Sequence, residues 1–199
     1  MKFYLDITLL PDAEANIGFL WQKVFQQVHI ALVNVKNTSG KSDIAVSFPG
    51  YGGKEFPLGN KLRLLATTHE RLNQLEIGRW LNRLSDYCHH TSIKEVPQTV
   101  EEFSTFKRVR FDTNVERMAR RRAKRKGESF EDAMNILKGF KDKKSSLPYI
   151  NMESSRKPQN QNKKHKFRLF IERIIQDEPS IGEFNCYGLS KTATVPMFK

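Results

Sequence analysis

Seven of the ten residues from Arg117 to Lys126 are basic, and their pattern is typical of a helix. Thr113 and Glu116 have the spacing of a capping box, and Gly127 suits the left-handed residue that ends a helix. Side chains four positions apart share a helix face, so these cations repel each other, and a polyanion lying across the helix would offset that repulsion. The run therefore favours nucleic acid as a partner over a solvated basic face. Its basic residues are Arg117, Arg120, Arg121, Arg122, Lys124, Arg125 and Lys126.

His29 is the candidate for proton transfer, because it lies beside the apolar stripe of a predicted helix. An imidazole titrates near neutral pH and can accept or donate a proton. RNA carries its own nucleophile, the 2′-hydroxyl, so an enzyme need only orient that group, remove its proton and balance the developing charge. A lone histidine on a helix is also commonly a packing residue, and the sequence pattern alone leaves both roles open.

The sequence offers no metal-binding motif. Cys88, His89 and His90 are adjacent and the other candidate ligands are scattered, whereas a zinc site needs four ligands at characteristic spacings. No compact group of carboxylates indicates a two-metal nuclease. We therefore expect no metal and no cofactor, and phosphodiester chemistry would depend on His, Ser, Tyr, Lys or Arg side chains.

Composition narrows the class of protein. The chain has 199 residues, enough for one large or two small domains, and its net charge of +12 favours an acidic partner. No apolar run approaches the length of a membrane span, and residues 1–11 alternate instead of forming the apolar core of a signal peptide. Cys88 and Cys186 do not make a disulfide framework. We expect a cytoplasmic protein with no membrane partner.

The hydrophobic periodicity of the first half predicts the elements that would position His29. Apolar residues at every second position indicate strands, and a stripe at helical spacing indicates a long first helix. The predicted order is β-α-β-β-α-β, which is typical of a ferredoxin-like domain over residues 1–97. The predicted elements are strand 2–10, helix 12–35, strand 44–48, strand 61–67, helix 69–87 and strand 92–96.

Residues 98–199 are predicted to form a C-terminal α+β domain that carries the arginine-rich helix. Ser129 has the position of a cap for a second short helix, which is predicted to end near Gly139. The whole chain is therefore expected to have an α+β fold. The predicted strands of this half are 103–111, 149–152, 167–175, 184–190 and 194–199.

Five motifs occur in the order Ala45–Pro49, Leu58-Gly59 with Leu62-Arg63, Arg117–Arg122, Phe167–Ile171 and Cys186–Lys191. In this order they resemble the type I-F CRISPR repeat-processing endoribonucleases, a family of CRISPR RNA-maturation nucleases. The similarity extends over essentially the whole chain. Its most specific parts are the arginine-rich helix and the block Tyr187–Ser190.

The resemblance implies a ferredoxin-like N-terminal domain and a C-terminal domain bearing the arginine-rich helix. The implied partner is the stem-loop of CRISPR repeat RNA. The implied reaction is a cut at the 3′ base of the stem without a metal, leaving a 5′-hydroxyl and a 2′,3′-cyclic phosphate. Members of the family stay on their product, so we also expect other subunits of a type I-F interference complex as partners.

The resemblance also implies roles for individual residues around the cut. His29 matches the catalytic histidine that acts as general base or acid, and Tyr187 matches the tyrosine that positions it. Ser154 matches the serine that holds the nucleophilic 2′-hydroxyl, with its neighbour Ser155 as an alternative. Phe167 matches the aromatic residue that stacks on the base pair at the foot of the stem.

Arg108 and Arg110 match the residues that read base edges low in the stem, and their spacing on a strand directs both to one face. Family members can carry glutamine at the second position, which matches adenine, whereas arginine matches guanine. We therefore expect Arg110 to read a second guanine. The residues that match phosphate contacts in the family are Arg117, Arg120, Arg121, Arg122, Lys124 and Arg125.

The chain departs from the family pattern at Glu153, which precedes Ser154, and in a longer loop over 155–166. A non-catalytic RNA-binding subunit of the same fold is the main alternative, and the intact set of His29, Ser154 and Tyr187 favours the nuclease over it. A basic DNA-binding protein is disfavoured because no groove-reading motif occurs.

Overall fold

The computed structural model describes residues 1–36, 40–100, 102–111, 115–137, 146–154 and 165–198. These residues have a mixed α+β fold, which confirms the predicted class. They divide into two compact units, Met1–Val109 with Pro148–Lys199 and Arg110–Leu147, which we call the main unit and the basic hairpin. In the main unit, the strands before residue 97 form one sheet and the strands after residue 98 form another. The division of the chain into domains 1–97 and 98–199 stays a prediction.

The first sheet of the main unit is antiparallel and has the strand order β2-β3-β1-β4, with β5 also pairing with β1. Its register places Leu5 opposite Leu64 and Ile7 opposite Leu62, so that apolar side chains of neighbouring strands pack together in the core. The strands are β1 (Phe3–Leu9), β2 (Ala45–Ser47), β3 (Lys61–Ala66), β4 (Cys88–His90) and β5 (Lys94–Glu95).

Helix α1 (Ile17–Asn34) covers this core and carries His29. It begins after Asn16, whose side chain accepts a hydrogen bond from the Phe19 backbone N–H at 2.9 Å, so the predicted start at residue 12 is too early. The Trp21 indole donates to the Gly59 carbonyl at 2.8 Å and ties the helix to the β2–β3 loop. The predicted apolar stripe is confirmed at Trp21, Val24, Val28 and Leu32, which are buried.

The single helix predicted over 69–87 is wrong. The chain forms α2 (His69–Asn73) and α3 (Ile77–Leu81), separated by Glu76 in the left-handed conformation at φ 46°. In one straight helix, Ile77 would lie about 140° around the axis from Leu72, because each residue turns by about 100°. The break allows both side chains to be buried in the same core.

Two predicted strands also need correction. The strand predicted over 92–96 is reduced to the short β5, and the sequence pattern missed β4, whose residues Cys88–His90 do not alternate in polarity. The strand predicted over 184–190 does not form: Phe184 makes an isolated bridge with Ser42, and a turn follows it.

The second sheet of the main unit is antiparallel with the order β7-β8-β6-β9, which leaves β7 at one edge. Phe167, Leu169 and Ile171 share one face of β8, as their alternation predicts, and the last two are buried. The strands are β6 (Glu102–Val109), β7 (Tyr149–Glu153), β8 (Lys166–Gln176) and β9 (Val195–Met197).

The basic hairpin consists of α4 (Val115–Lys126) and α5 (Phe130–Ile136) in its described part. Gly127 ends α4 at φ 68° as predicted, and its N–H donates to the Ala123 carbonyl at 2.9 Å. Ser129 caps α5 by accepting from the Asp132 N–H at 3.0 Å, which confirms that prediction. The predicted cap Thr113 and the predicted end of α5 near Gly139 lie outside the described residues.

Candidate active site

The imidazole of His29 is half-buried and is held in one orientation by a backbone group. Its Nδ1 lies 2.9 Å from the carbonyl oxygen of Cys186. A carbonyl oxygen can only accept a hydrogen bond, so Nδ1 carries the proton in the neutral ring. The other nitrogen, Nε2, then has a free lone pair and is the atom of His29 that can accept a proton.

The environment of His29 favours its neutral form. The pKa of His29 lies below its usual value chiefly because burial disfavours the charged imidazolium. The hydrogen bond to the Cys186 carbonyl opposes this shift, and the positive charge of Arg108 adds to it. At neutral pH the ring is therefore a proton acceptor, which suits a general base.

Tyr187 stacks on this ring. The centroids of the His29 and Tyr187 rings lie 4.2 Å apart and their planes meet at 13°. Parallel stacking of this kind restricts rotation of the imidazole about its χ2 angle. The hydrogen bond to the Cys186 carbonyl fixes which ring nitrogen faces that carbonyl. The structure therefore brings together two of the residues that the resemblance assigns to one site.

A tight turn presents both Cys186 and Tyr187 to the helix. The Asn185 side chain accepts a hydrogen bond from the Tyr187 N–H at 2.8 Å, and the Asn185 carbonyl accepts one from the Gly188 N–H at 2.8 Å. Gly188 has φ 70°, and a Cβ there would lie 2.5 Å from Cγ2 of Val46. The spacing of Asn185 and Gly188 is the signature of a turn, and it is the signal by which the sequence could have revealed Asn185 as a site residue.

Arg108 and Phe167 extend the site on the second sheet. The guanidinium carbon of Arg108 lies 5.1 Å from the Tyr187 ring centroid and 5.4 Å from the Phe167 ring centroid. Pairwise contacts therefore connect His29 to Phe167 through Tyr187 and Arg108. Among the described residues, the buried Nε of Arg108 has no hydrogen-bond partner.

Ser154 directly follows β7, and its N–H donates to the His165 carbonyl at 2.8 Å. This bond places Ser154 in the same β-hairpin as Phe167, whose Cα pairs with that of Met152. The alternative serine, Ser155, lies outside the described residues.

The predicted phosphate-binding residues lie on the basic hairpin, and most of them are exposed. Arg122 differs, because its Nε lies 2.6 Å from a carboxylate oxygen of Glu128 in an ion pair and its side chain is 31% exposed. Arg120 forms a longer ion pair with Glu116 at 3.5 Å and is 72% exposed. Arg110, predicted to read a base, follows β6 and is also exposed. The other exposed residues of the set are Arg117, Arg121, Lys124 and Arg125.

The described part of the chain contains neither a metal-binding cluster nor a helix able to span a membrane. No group of three or more His, Cys, Asp or Glu side chains there has an arrangement able to hold a metal ion. None of the described helices is both long enough and apolar enough to cross a membrane.

Comparison with known proteins gives one consistent match. The family model described as CRISPR-associated protein (Cas_Csy4) matches residues 4–198. A protein of Escherichia coli (strain UTI89 / UPEC) named CRISPR-associated endonuclease Cas6/Csy4 is 34% identical over 199 residues, which are 100% of both chains. A protein of the same name from Pseudomonas aeruginosa (strain UCBPP-PA14) is 33% identical, again over 100% of both chains. Together with the resemblance in the sequence motifs, these matches show that the chain belongs to the Cas_Csy4 family of CRISPR-associated proteins.

Proposed function

We propose that the protein is an endoribonuclease that binds the stem-loop of CRISPR repeat RNA and cuts at the 3′ base of the stem, without a metal ion, to give mature CRISPR RNA. One observation carries the proposal: His29 is held between the Cys186 carbonyl and the Tyr187 ring with Nε2 unprotonated, and burial lowers its pKa and so favours the neutral ring. The names of the two relatives, both CRISPR-associated endonucleases, support the same activity.

In this proposal the nucleophile is the 2′-hydroxyl of the nucleotide just upstream of the cut. His29 Nε2 removes its proton, the 2′-oxygen bonds to the adjacent phosphorus, and the bond from phosphorus to the 5′-oxygen breaks. The 5′-oxygen takes up a proton, so the net reaction moves one proton from the 2′-oxygen to the 5′-oxygen. The products are a 2′,3′-cyclic phosphate and a 5′-hydroxyl.

Two other side chains orient the reacting groups. Tyr187 holds the imidazole by stacking on it, so that Nε2 points to one place. Ser154 holds the 2′-hydroxyl, and its position beside β7 in the hairpin that carries Phe167 supports this role. Orientation of this kind lowers the barrier because the reacting atoms lose less entropy in reaching the transition state.

Recognition at the foot of the stem is assigned to the side chains next to this centre. Phe167 stacks on the terminal base pair, and Arg108 donates to O6 and N7 of its guanine. The contacts of the Arg108 guanidinium with the Tyr187 and Phe167 rings support this role, because they place it beside the proposed stacking residue. Arg110 reads a second guanine.

The basic hairpin supplies affinity by neutralising phosphates along the stem. Contacts of this kind act through charge, and they hold the product as firmly as the substrate. We therefore propose that the protein stays on the mature RNA and enters a type I-F interference complex with it. The contributing residues are Arg117, Arg120, Arg121, Arg122, Lys124 and Arg125. Arg122 contributes least, because its charge is already paired with Glu128.

The proposal extends to the fold that carries the site. The strand order β2-β3-β1-β4, with α1 between β1 and β2 and the pair α2 and α3 between β3 and β4, supports a ferredoxin-like N-terminal domain over 1–97. The C-terminal domain is then 98–199. Fold similarity by itself implies no activity, so the assignment of function depends on the site.

Replacing His29 by alanine tests the function. General acid–base groups contribute roughly 10²- to 10⁴-fold, so the single-turnover rate of His29→Ala with saturating repeat RNA should fall by a factor in that range. The dissociation constant of the same RNA should change little, because His29 adds no charge to the binding surface. A variant that cuts at the wild-type rate would leave His29 as a packing residue and refute the proposal.

A further inference from the structure

The backbone N–H of Glu153 faces the open edge of the second sheet. In an antiparallel pair, successive N–H groups point alternately towards the partner strand and away from it. The Ser154 N–H points to β8, because it donates to the His165 carbonyl. The Glu153 N–H therefore points the other way, and no strand among the described residues pairs with β7 on that side.

The side chain of Gln26 occupies this edge position. Its Oε1 accepts a hydrogen bond from the Glu153 N–H at 3.1 Å, in a partly buried setting. Helix α1 packs against β7, so the amide oxygen takes the place that a carbonyl of an adjacent strand would have. An edge N–H that is shielded from water by a helix needs such an acceptor.

This bond joins the two parts of the chain that carry the proposed chemistry. Gln26 precedes His29 by three residues, which places both on one side of α1 about 4.5 Å apart along its axis. Glu153 is the residue before Ser154, and adjacent Cα atoms are about 3.8 Å apart. The path from His29 to Ser154 through Gln26 therefore crosses one turn of helix, one hydrogen bond and one peptide.

We propose that Gln26 is a positioning residue that fixes the separation of His29 and Ser154 by anchoring the end of β7 to helix α1. This inference depends on the proposed function, because it assigns Gln26 an effect only through those two side chains. The inference requires no contact of Gln26 with the RNA. Its loss lets the end of β7 move relative to the imidazole, and a displacement of about 1 Å in a reacting group can cost roughly 100-fold in rate.

Three variants isolate the hydrogen bond. Gln26→Met keeps the length of the side chain but removes the acceptor, whereas Gln26→Glu keeps an acceptor oxygen. Gln27→Met is the matched control, because the neighbouring residue is the same type and is also half-buried on α1. The substrate is a repeat stem-loop RNA that the wild-type protein cuts, and the measurements are single-turnover rate, dissociation constant and melting temperature.

We expect Gln26→Met to cut roughly 10- to 100-fold more slowly at saturating RNA with a nearly unchanged dissociation constant. Gln26→Glu and Gln27→Met should cut at close to the wild-type rate. A role in folding alone would lower the melting temperature of Gln26→Met without this loss of rate at a temperature where the variant is folded. The inference is overturned if Gln26→Met is as fast as wild type, or if Gln26→Glu is as slow as Gln26→Met.

Hydrogen exchange at the Glu153 amide tests the contact independently in the folded wild-type protein. We expect its protection to be comparable with that of the Ser154 amide, which is bonded within the sheet. Free exchange at Glu153 would overturn the inference even if the Met variant did not fold. If His29→Ala is inactive while Gln26→Met is normal, only this inference fails; if His29→Ala is fully active, the proposed function fails first.

Discussion

His29 and the arginines of α4 differ in how the fold holds them. His29 is fixed from two directions, by a carbonyl of the turn at 185–188 and by an aromatic face, and Arg108 of β6 contacts the same aromatic ring. Arg117, Arg121 and Arg125 instead follow each other along one helix and are exposed. The proposed proton transfer needs a side chain held in one orientation, whereas the proposed attraction of phosphates needs only exposed positive charges.

The difference follows because proton transfer and electrostatic attraction of phosphates depend differently on distance. Proton transfer requires a defined separation and angle, so its residues come from distant parts of the chain and are locked by packing. Attraction of phosphates depends on the number of charges and decays over several ångströms, so adjacent residues on one exposed helix suffice. Substitutions in the two regions should therefore affect different measured quantities.

Removing three charges of α4 should give the largest difference between an effect on RNA binding and an effect on cleavage rate. Changing Arg117, Arg121 and Arg125 together to glutamine should weaken binding strongly and reduce the slope of log K against log salt by about 2 to 3, close to one for each phosphate contact. The cleavage rate at saturating RNA should hardly change.

Arg122→Gln is the matched control, since Glu128 already balances that charge, and its effect on the salt slope should be smaller than that of Arg125→Gln alone. An unchanged slope in the triple variant would place the RNA on another surface.

Two glycines with the same backbone conformation allow the next comparison. Gly188 and Gly127 have φ 70° and φ 68°, but a Cβ at Gly188 would strike Val46 at 2.5 Å, whereas nothing lies within 4 Å of one at Gly127. Alanine at either position should cost about 1–3 kcal/mol of stability from backbone strain.

Gly188→Ala should in addition displace Cys186 and Tyr187 and slow cleavage at saturating RNA by roughly 10-fold or more. Gly127→Ala should leave that rate unchanged. Thermal unfolding and single-turnover cleavage measure the two effects, and equal cleavage rates in both variants would show that the turn at 185–188 does not hold the imidazole.

The smallest expected effect is a shift in the pH dependence of cleavage. A general base acts when neutral, so the rate should rise with pH through the pKa of His29, which burial and Arg108 hold below its usual value. Arg108→Gln removes one of the lowering causes, so the acid limb of the rate profile should move to higher pH. Arg108→Lys keeps the charge and should keep the limb near its wild-type position. A limb that moves to lower pH in Arg108→Gln would contradict this electrostatic coupling.

Much of the fold could be predicted from the sequence, because side-chain patterns encode burial. The alternation of β1 and β8, the stripe of α1 and the cap at Ser129 all have their predicted places. The break at Glu76 could not be read, because residues 69–87 have good helical periodicity and the break serves the burial of Ile77 in three dimensions.

The sequence indicates which residues to examine at the candidate site but not how they are held. His29 is predicted from its place on the helix, and Tyr187 and Phe167 only from the resemblance to family motifs. Contacts in the structure connect these three side chains through Arg108. The bonds that orient His29 and anchor β7 end on the Cys186 carbonyl and the Glu153 N–H, and every residue except proline has both groups. A contact to the backbone therefore cannot be predicted from residue types in the sequence. Only the spacing of Asn185 and Gly188 indicates the turn.

The central claim is that the RNA supplies its own nucleophile and that His29 activates it. The most direct measurement is cleavage, in EDTA, of a repeat stem-loop whose single nucleotide upstream of the cut carries a 2′-deoxyribose. The account predicts that the all-ribose RNA is cut at the normal rate in EDTA and that the deoxy RNA binds with nearly the same affinity and is not cut. Cleavage of the deoxy RNA, or loss of cleavage of the all-ribose RNA in EDTA, would contradict it.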